Sequence, residues 1–110
     1  MLDKTIIQNV YIPTFRVGRE DTLLVSIAHA DTLTFSFRHT REMRTLHNER
    51  VMFTRERARK TLALPFVNHL LIVLPCLLDA PGWWELDITV WRWRNGTRES
   101  YSMSQSILVT

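Results

Sequence analysis

The chain is poor in the residues that staple or punctuate small proteins. Among its 110 residues there is one cysteine, three glycines and four prolines. A single thiol, Cys76, cannot form an internal disulfide, so the stapled scaffolds of small secreted domains are excluded and a reducing interior or a supporting assembly is expected. Cys76 lies inside an apolar run and reads as a small buried hydrophobe. With so few glycines and prolines the chain is not of low complexity, and its hydrophobic fraction of 45% is too high for a disordered tail. The length suits one domain spanning residues 1–110 and is short for two.

Long apolar runs are scarce too. The N-terminal stretch MLDKTIIQNVYIPTF has no extended hydrophobic region of the signal-peptide kind. The most apolar window, Thr61 to Leu78, is interrupted by Pro65, Asn68, His69 and Pro75. A membrane-spanning helix needs about 20 nearly uninterrupted apolar residues. The window reads instead as two buried strands, Thr61–Val67 and Leu70–Leu74, with a turn between them.

Recognisable catalytic constellations are also missing. His29, His39, His47 and His69 are scattered and stand at no metal-ligand spacing with Cys76. There is no glycine-rich phosphate loop and no Gly-x-Ser-x-Gly elbow. Glu85 and Asp87 share a strand face, but acid–base work also needs a cleft and a polarising environment. The expectation is a non-enzymatic protein with no cofactor and no metal.

What is present is alternation. Thr32 to Arg38 (TLTFSFR) sets Leu33, Phe35 and Phe37 against Thr34 and Ser36, the period of a half-buried antiparallel strand. Thr22 to Ala28 alternates similarly. Residues Thr5 to Ile12 are rich in β-branched and aromatic side chains and stop at Pro13. Residues Thr40 to Lys60 differ, carrying Arg41, Arg44, Arg50, Arg55, Arg57, Arg59 and Lys60 against Glu42, Glu49 and Glu56. Met43, Leu46 and Val51 make a weak helical stripe, and Val51–Phe53 a short strand, so this segment is open between solvated connection, helix and edge. Short strands with frequent turns predict an antiparallel β-sandwich, immunoglobulin-like or jelly-roll-like, with a basic connecting segment in its middle. The strands are expected near 5–12, 22–28, 32–38, 51–54, 61–67, 70–75, 83–94 and 97–109.

The sharpest local signal is Asn95-Gly96, the favoured centre of a two-residue type I′ hairpin turn. It pairs Arg94 with Thr97, Trp93 with Arg98, Arg92 with Glu99, and so on down to Trp84 with Ile107. One face then collects Trp84, Leu86, Ile88, Val90, Tyr101, Met103 and Ile107, with Gln105 the one exception. The other collects Glu85, Asp87, Thr89, Trp91, Trp93, Arg98 and the serines. A slip by one residue would bury the serines, so the register is well specified. Trp91 and Trp93 land on the polar face, either covered by a loop or the basic segment, or facing another chain, since Trp and Arg are enriched at interface hot spots. Trp93 opposite Arg98 also predicts a cation–π contact.

The phrases Leu71-Ile72-Val73-Leu74, Leu78-Asp79-Ala80-Pro81-Gly82-Trp83-Trp84-Glu85-Leu86-Asp87-Ile88-Thr89-Val90-Trp91 and Asn95-Gly96-Thr97-Arg98, with the earlier Gly18-Arg19-Glu20-Asp21-Thr22-Leu23, resemble small immunoglobulin-like β-sandwich modules of tailed-phage virions, of the capsid-decoration or baseplate and tail-adaptor kind. The resemblance covers the first break and roughly the last 40 residues, not the basic middle. It implies a non-enzymatic structural protein of a phage particle, assembled in the host cytoplasm, docking on capsid or tail proteins and on copies of itself as an oligomer, with no membrane partner. The expected contact residues are Trp91, Arg92, Trp93 and Arg94 at the hairpin tip and Arg55, Arg57 and Arg59 in the basic segment. The alternative is a single-stranded nucleic-acid binder using the same residues, with Trp91 and Trp93 as stacking platforms.

Overall fold

Alternation becomes two sheets. In a computed structural model of the chain, which describes residues 6–46 and 49–110 and only the backbone over 41–58, the described residues form seven strands and no helix. They are β1 (Ile7–Tyr11), β2 (Glu20–Ile27), β3 (Thr32–Leu46), β4 (Glu49–Ala63), β5 (Leu70–Leu77), β6 (Gly82–Arg94) and β7 (Thr97–Val109). One antiparallel sheet has the order β1-β2-β5 and the other β4-β3-β6-β7. The second strand pairs with the fifth and the third with the sixth, and the two antiparallel sheets pack together as a β-sandwich.

The period-two pattern decides what lies between the sheets. Leu23, Val25 and Ile27 of β2 and Ile72, Leu74 and Cys76 of β5 meet Leu33, Phe35 and Phe37 of β3 and Trp84, Leu86, Ile88 and Val90 of β6, all buried. Ile107 and Val109 continue this core from β7, while Ile6 and Phe15 enter from the ends of β1 and its following loop. Phe37 is packed edge-on by both Phe15 and Phe35, with ring centroids 6.0 and 6.1 Å apart. Trp84 donates its indole N–H to the Ala80 carbonyl at 2.9 Å, meeting the one polar demand of a buried tryptophan. Pro75 is tolerated in β5 because an edge strand does not need every N–H for its ladder.

Two expectations need correction. Of the readings open for the basic segment the edge holds, since β4 is an outer strand of the four-stranded sheet, whereas connection and helix do not. β3 runs on to Leu46 and β4 returns from Glu49, so the weak stripe of Met43, Leu46 and Val51 lies on strands. β6 pairs β3 only from Thr32 to His39, and beyond it β3 and β4 pair with each other as a two-stranded ribbon. Register shifts between Phe37 and Arg38 and between Thr40 and Glu42 leave Arg57 and Arg41 as the extra residues of two bulges. Second, no separate strand spans 61–67. Thr61–Ala63 ends β4, and the chain leaves the sheet before Pro65, which has no N–H to donate. There Leu64 donates to Asp31 at 2.8 Å and the Val67 carbonyl accepts from His29 at 2.8 Å. β1, Ile7–Tyr11, lies within the expected 5–12, and Thr5 lies outside the described residues. No described helix is long and apolar enough to cross a membrane.

Candidate functional site

Asn95 and Gly96 have φ of 52° and 76°, as a type I′ turn demands. They hold β6 and β7 in the expected register along its whole length, from Arg94 opposite Thr97 to Gly82 opposite Val109. Trp91 and Trp93 therefore stand on the outer face of the four-stranded sheet. Trp93 is 59% exposed and Trp91 half-buried. The Arg98 guanidinium lies over both rings, 5.6 Å from the Trp91 centroid and 5.8 Å from that of Trp93. Asp31, in the loop between β2 and β3, fixes this end: its carboxylate accepts from the Trp93 backbone N–H at 3.1 Å and lies 3.9 Å from Arg98.

The other tip residues are placed differently. Alternation turns Arg92 to the opposite face, where its side chain is only 12% exposed. Its Nε donates to Glu99 at 3.1 Å, its Nη2 to the Tyr101 hydroxyl at 3.4 Å, and that hydroxyl in turn donates to Glu99. Arg92 is thus engaged within the chain. Arg94, also half-buried, follows on the same side. In the basic segment Arg59 is exposed on β4, whereas the side chains of Arg55 and Arg57 lie outside the described residues. Arg59 pairs with Ser36, farther along β3 than the Thr32–Trp91 pair, and of the expected contact residues Arg59 and Trp91 come to one surface depression.

Between them the sheet face is a shallow polar basin of about 450 Å³, lined by Thr34, Ser36, Arg38, Arg59, Asp87, Thr89, Trp91, Ser102, Met103 and Ser104. Its centre is a guanidinium bridging two carboxylates: Arg38 Nη2 is 2.9 Å from Asp87 and 3.3 Å from Glu85. Ser104 donates to the same Asp87. Thr34 and Thr61 share a hydrogen bond of 3.0 Å, as do Thr89 and Ser102. The Glu85/Asp87 pair was legible from the strand pattern; its partner was not, because Arg38 reaches it through the β3–β6 register, which no turn announces.

The second sheet shows the reverse character outside. Tyr11, Leu24 and Val73 stand in a row across β1, β2 and β5, and Leu71, Pro75 and Leu77 extend it along β5. Tyr11 is 59% exposed, Leu71 53%, Val73 58% and Leu77 61%. Sequence reasoning missed this face because the window around β5 reads as uniformly buried when every apolar residue is assigned to the core. Among the described residues no three His, Cys, Asp or Glu side chains come together as a metal-holding group. No protein-family model matches the chain, and no curated protein and no solved structure matches it either.

Proposed function

We propose that the chain is a non-enzymatic interaction module, a structural component of a tailed-phage particle that docks on capsid or tail proteins and on further copies of itself. The observation that carries the docking reading is the apolar outer face of the three-stranded sheet. A monomer usually keeps large apolar side chains scattered, and a contiguous exposed set marks an interaction surface. Tyr11, Leu71, Val73 and Leu77 form such a set, joined through the half-buried Leu24 of β2. Trp93, exposed beside Arg98 on the other sheet, is a second anchor of the kind that interfaces favour. The viral setting is supported by the resemblance of the Leu78–Trp91 and Asn95–Arg98 phrases. The nucleic-acid reading has less support, since Arg92 is engaged with Glu99, Arg38 with Asp87 and Glu85, and Arg98 stands near Asp31.

Sedimentation velocity over a concentration series tests the docking face. Self-association is expected for the unaltered chain and is lost in the double substitution Leu71→Ser, Val73→Asp, with Trp93→Ser as a separate arm. A monomer at every concentration sinks self-docking. Immunodetection of the chain in purified particles tests the setting, and its absence from them sinks that part. Titration with a single-stranded oligonucleotide across a salt series would reveal the alternative.

A further inference from the structure

We infer that the basin on the outer face of the four-stranded sheet is a binding site for a neutral carbohydrate. The docking reading rests chiefly on the opposite sheet; its second anchor, Trp93, stands on this one but does not line the basin. The basin's volume of about 450 Å³ falls within the range of small-molecule sites, roughly 300–1,000 Å³. Its lining selects the chemistry. Thr34, Ser36 and Thr89 present hydroxyls, each able to donate one hydrogen bond and accept others. A ligand made of hydroxyls has the same double capacity, so either partner can adjust its proton to the other. Arg38 and Asp87 add what hydroxyls lack, a fixed cationic donor beside a fixed anionic acceptor, 2.9 Å apart. Pairs of neighbouring sugar hydroxyls need such a donor and acceptor at adjacent positions.

Trp91 is the one aromatic side chain of the lining. Arg98 covers its ring and is not part of the lining. A flat aromatic surface beside polar groups matches a pyranose, which has an apolar C–H face and a polar rim. The side chains are also held in place before any ligand arrives: Thr89 by Ser102, Thr34 by Thr61, Asp87 by Arg38 and Ser104. They stand on central strands of a sheet, where positions are better fixed than on loops.

Charge also bears on the main competitor, a phosphate or sulfate. The lining carries two cations, Arg38 and Arg59, and one anion, Asp87, but Arg38 is already bridged to Asp87 and to Glu85 beside it. An anion placed against Arg38 would meet the carboxylates that already occupy it. A neutral polyhydroxyl ligand meets no such opposition.

The test is titration of the full chain, followed by tryptophan fluorescence and by amide chemical shifts, with neutral oligosaccharides built from glucose, galactose, mannose and N-acetylglucosamine. Polygalacturonate and a thymidine oligonucleotide serve as charged arms. The expected result is binding of at least one neutral glycan with Kd of about 1 mM or tighter, with shifts confined to residues around Thr34, Thr89 and Trp91. Thr89→Val, which preserves shape, and Asp87→Asn each weaken it at least tenfold. The Leu71→Ser, Val73→Asp protein binds as well as the unaltered chain. No neutral glycan bound, shifts elsewhere on the molecule, binding unmoved by both basin substitutions, or binding only to a charged polymer would each overturn the inference.

Discussion

The Asp31 carboxylate accepts a hydrogen bond from the backbone N–H of Trp93 at 3.1 Å, tying the loop between the two sheets to the end of β6. The same residue donates its backbone N–H to the Trp91 carbonyl at 2.9 Å and accepts from Thr32 through its other oxygen at 2.7 Å. Hydrogen bonds to a charged group contribute more than neutral ones. Removing them while leaving the strand N–H in place should destabilise the protein by about 2 kcal/mol in Asp31→Ala. Asp31→Asn, which keeps one acceptor, should lose less. Urea denaturation of the three proteins checks the order, and equal midpoints would show that solvent replaces these bonds.

The tryptophans separate by face. Trp84 is 1% exposed at the centre of the core, and Trp84→Ala should cost about 3–5 kcal/mol. Trp93 loses only its stacking with Arg98, so Trp93→Ser should cost less than about 1 kcal/mol. Thermal melts distinguish the two directly. A collapse of Trp93→Ser would place that ring in a core and reverse the face assignment.

The last hairpin was fully legible because a single turn, Asn95-Gly96, fixes every pair that follows by counting. The alternating faces of β2 and β3 were legible for the same periodic reason. The long ribbon was not. Its charged residues dilute any apolar period, and beyond His39 β3 pairs with β4 alone. The partner of Asp87 was hidden for a different cause: Arg38 meets it across strands separated by some 50 residues, a register that only the folded sheets define. Arg92 illustrates a third case. Counting placed it opposite Glu99, but its grouping with the exposed tip residues ignored that odd and even positions part company even next to a turn.

Cys76 should be chemically silent in the folded protein. Burial pushes its thiol up to about 11, a rise that the Leu23 backbone contact opposes and the nearby Asp21 and Glu20 charges reinforce. The reactive species is the thiolate, so little is present at neutral pH. Labelling with a disulfide reagent at about pH 8 should be slow and should accelerate with denaturant in step with unfolding. Below the ordinary value of 9.0 the thiol is neutral folded and unfolded alike. Only as pH rises past that value toward 11 does ionisation in the unfolded chain pull against the fold. Labelling as fast as that of a free thiol would mean the β5 edge opens readily around Cys76.

Asp21 should make stability depend on acid. Burial pulls its carboxyl up, but the Arg19 hydrogen bond, the Arg16 backbone N–H and the positive charges of both arginines outweigh that and hold it below the ordinary 3.8. Arg19 approaches to 2.7 Å, and the Arg16 N–H donates at 3.1 Å. A carboxyl depressed in the folded state binds its proton more readily when unfolded. Its contribution is therefore complete above 3.8 and is lost as pH falls through the lower folded value. Asp21→Asn should lower the melting temperature at neutral pH and narrow its gap from the unaltered protein as the solution is acidified below 3.8. The two curves should also draw together in high salt, because the Arg19 side of the pair is half exposed, at 51%. A constant gap at every pH would show that the Asp21 charge contributes nothing, and no gap at all that the segment from Thr14 to Asp21 is held by its backbone, through Val17 to Thr110 and Gly18 to Leu78.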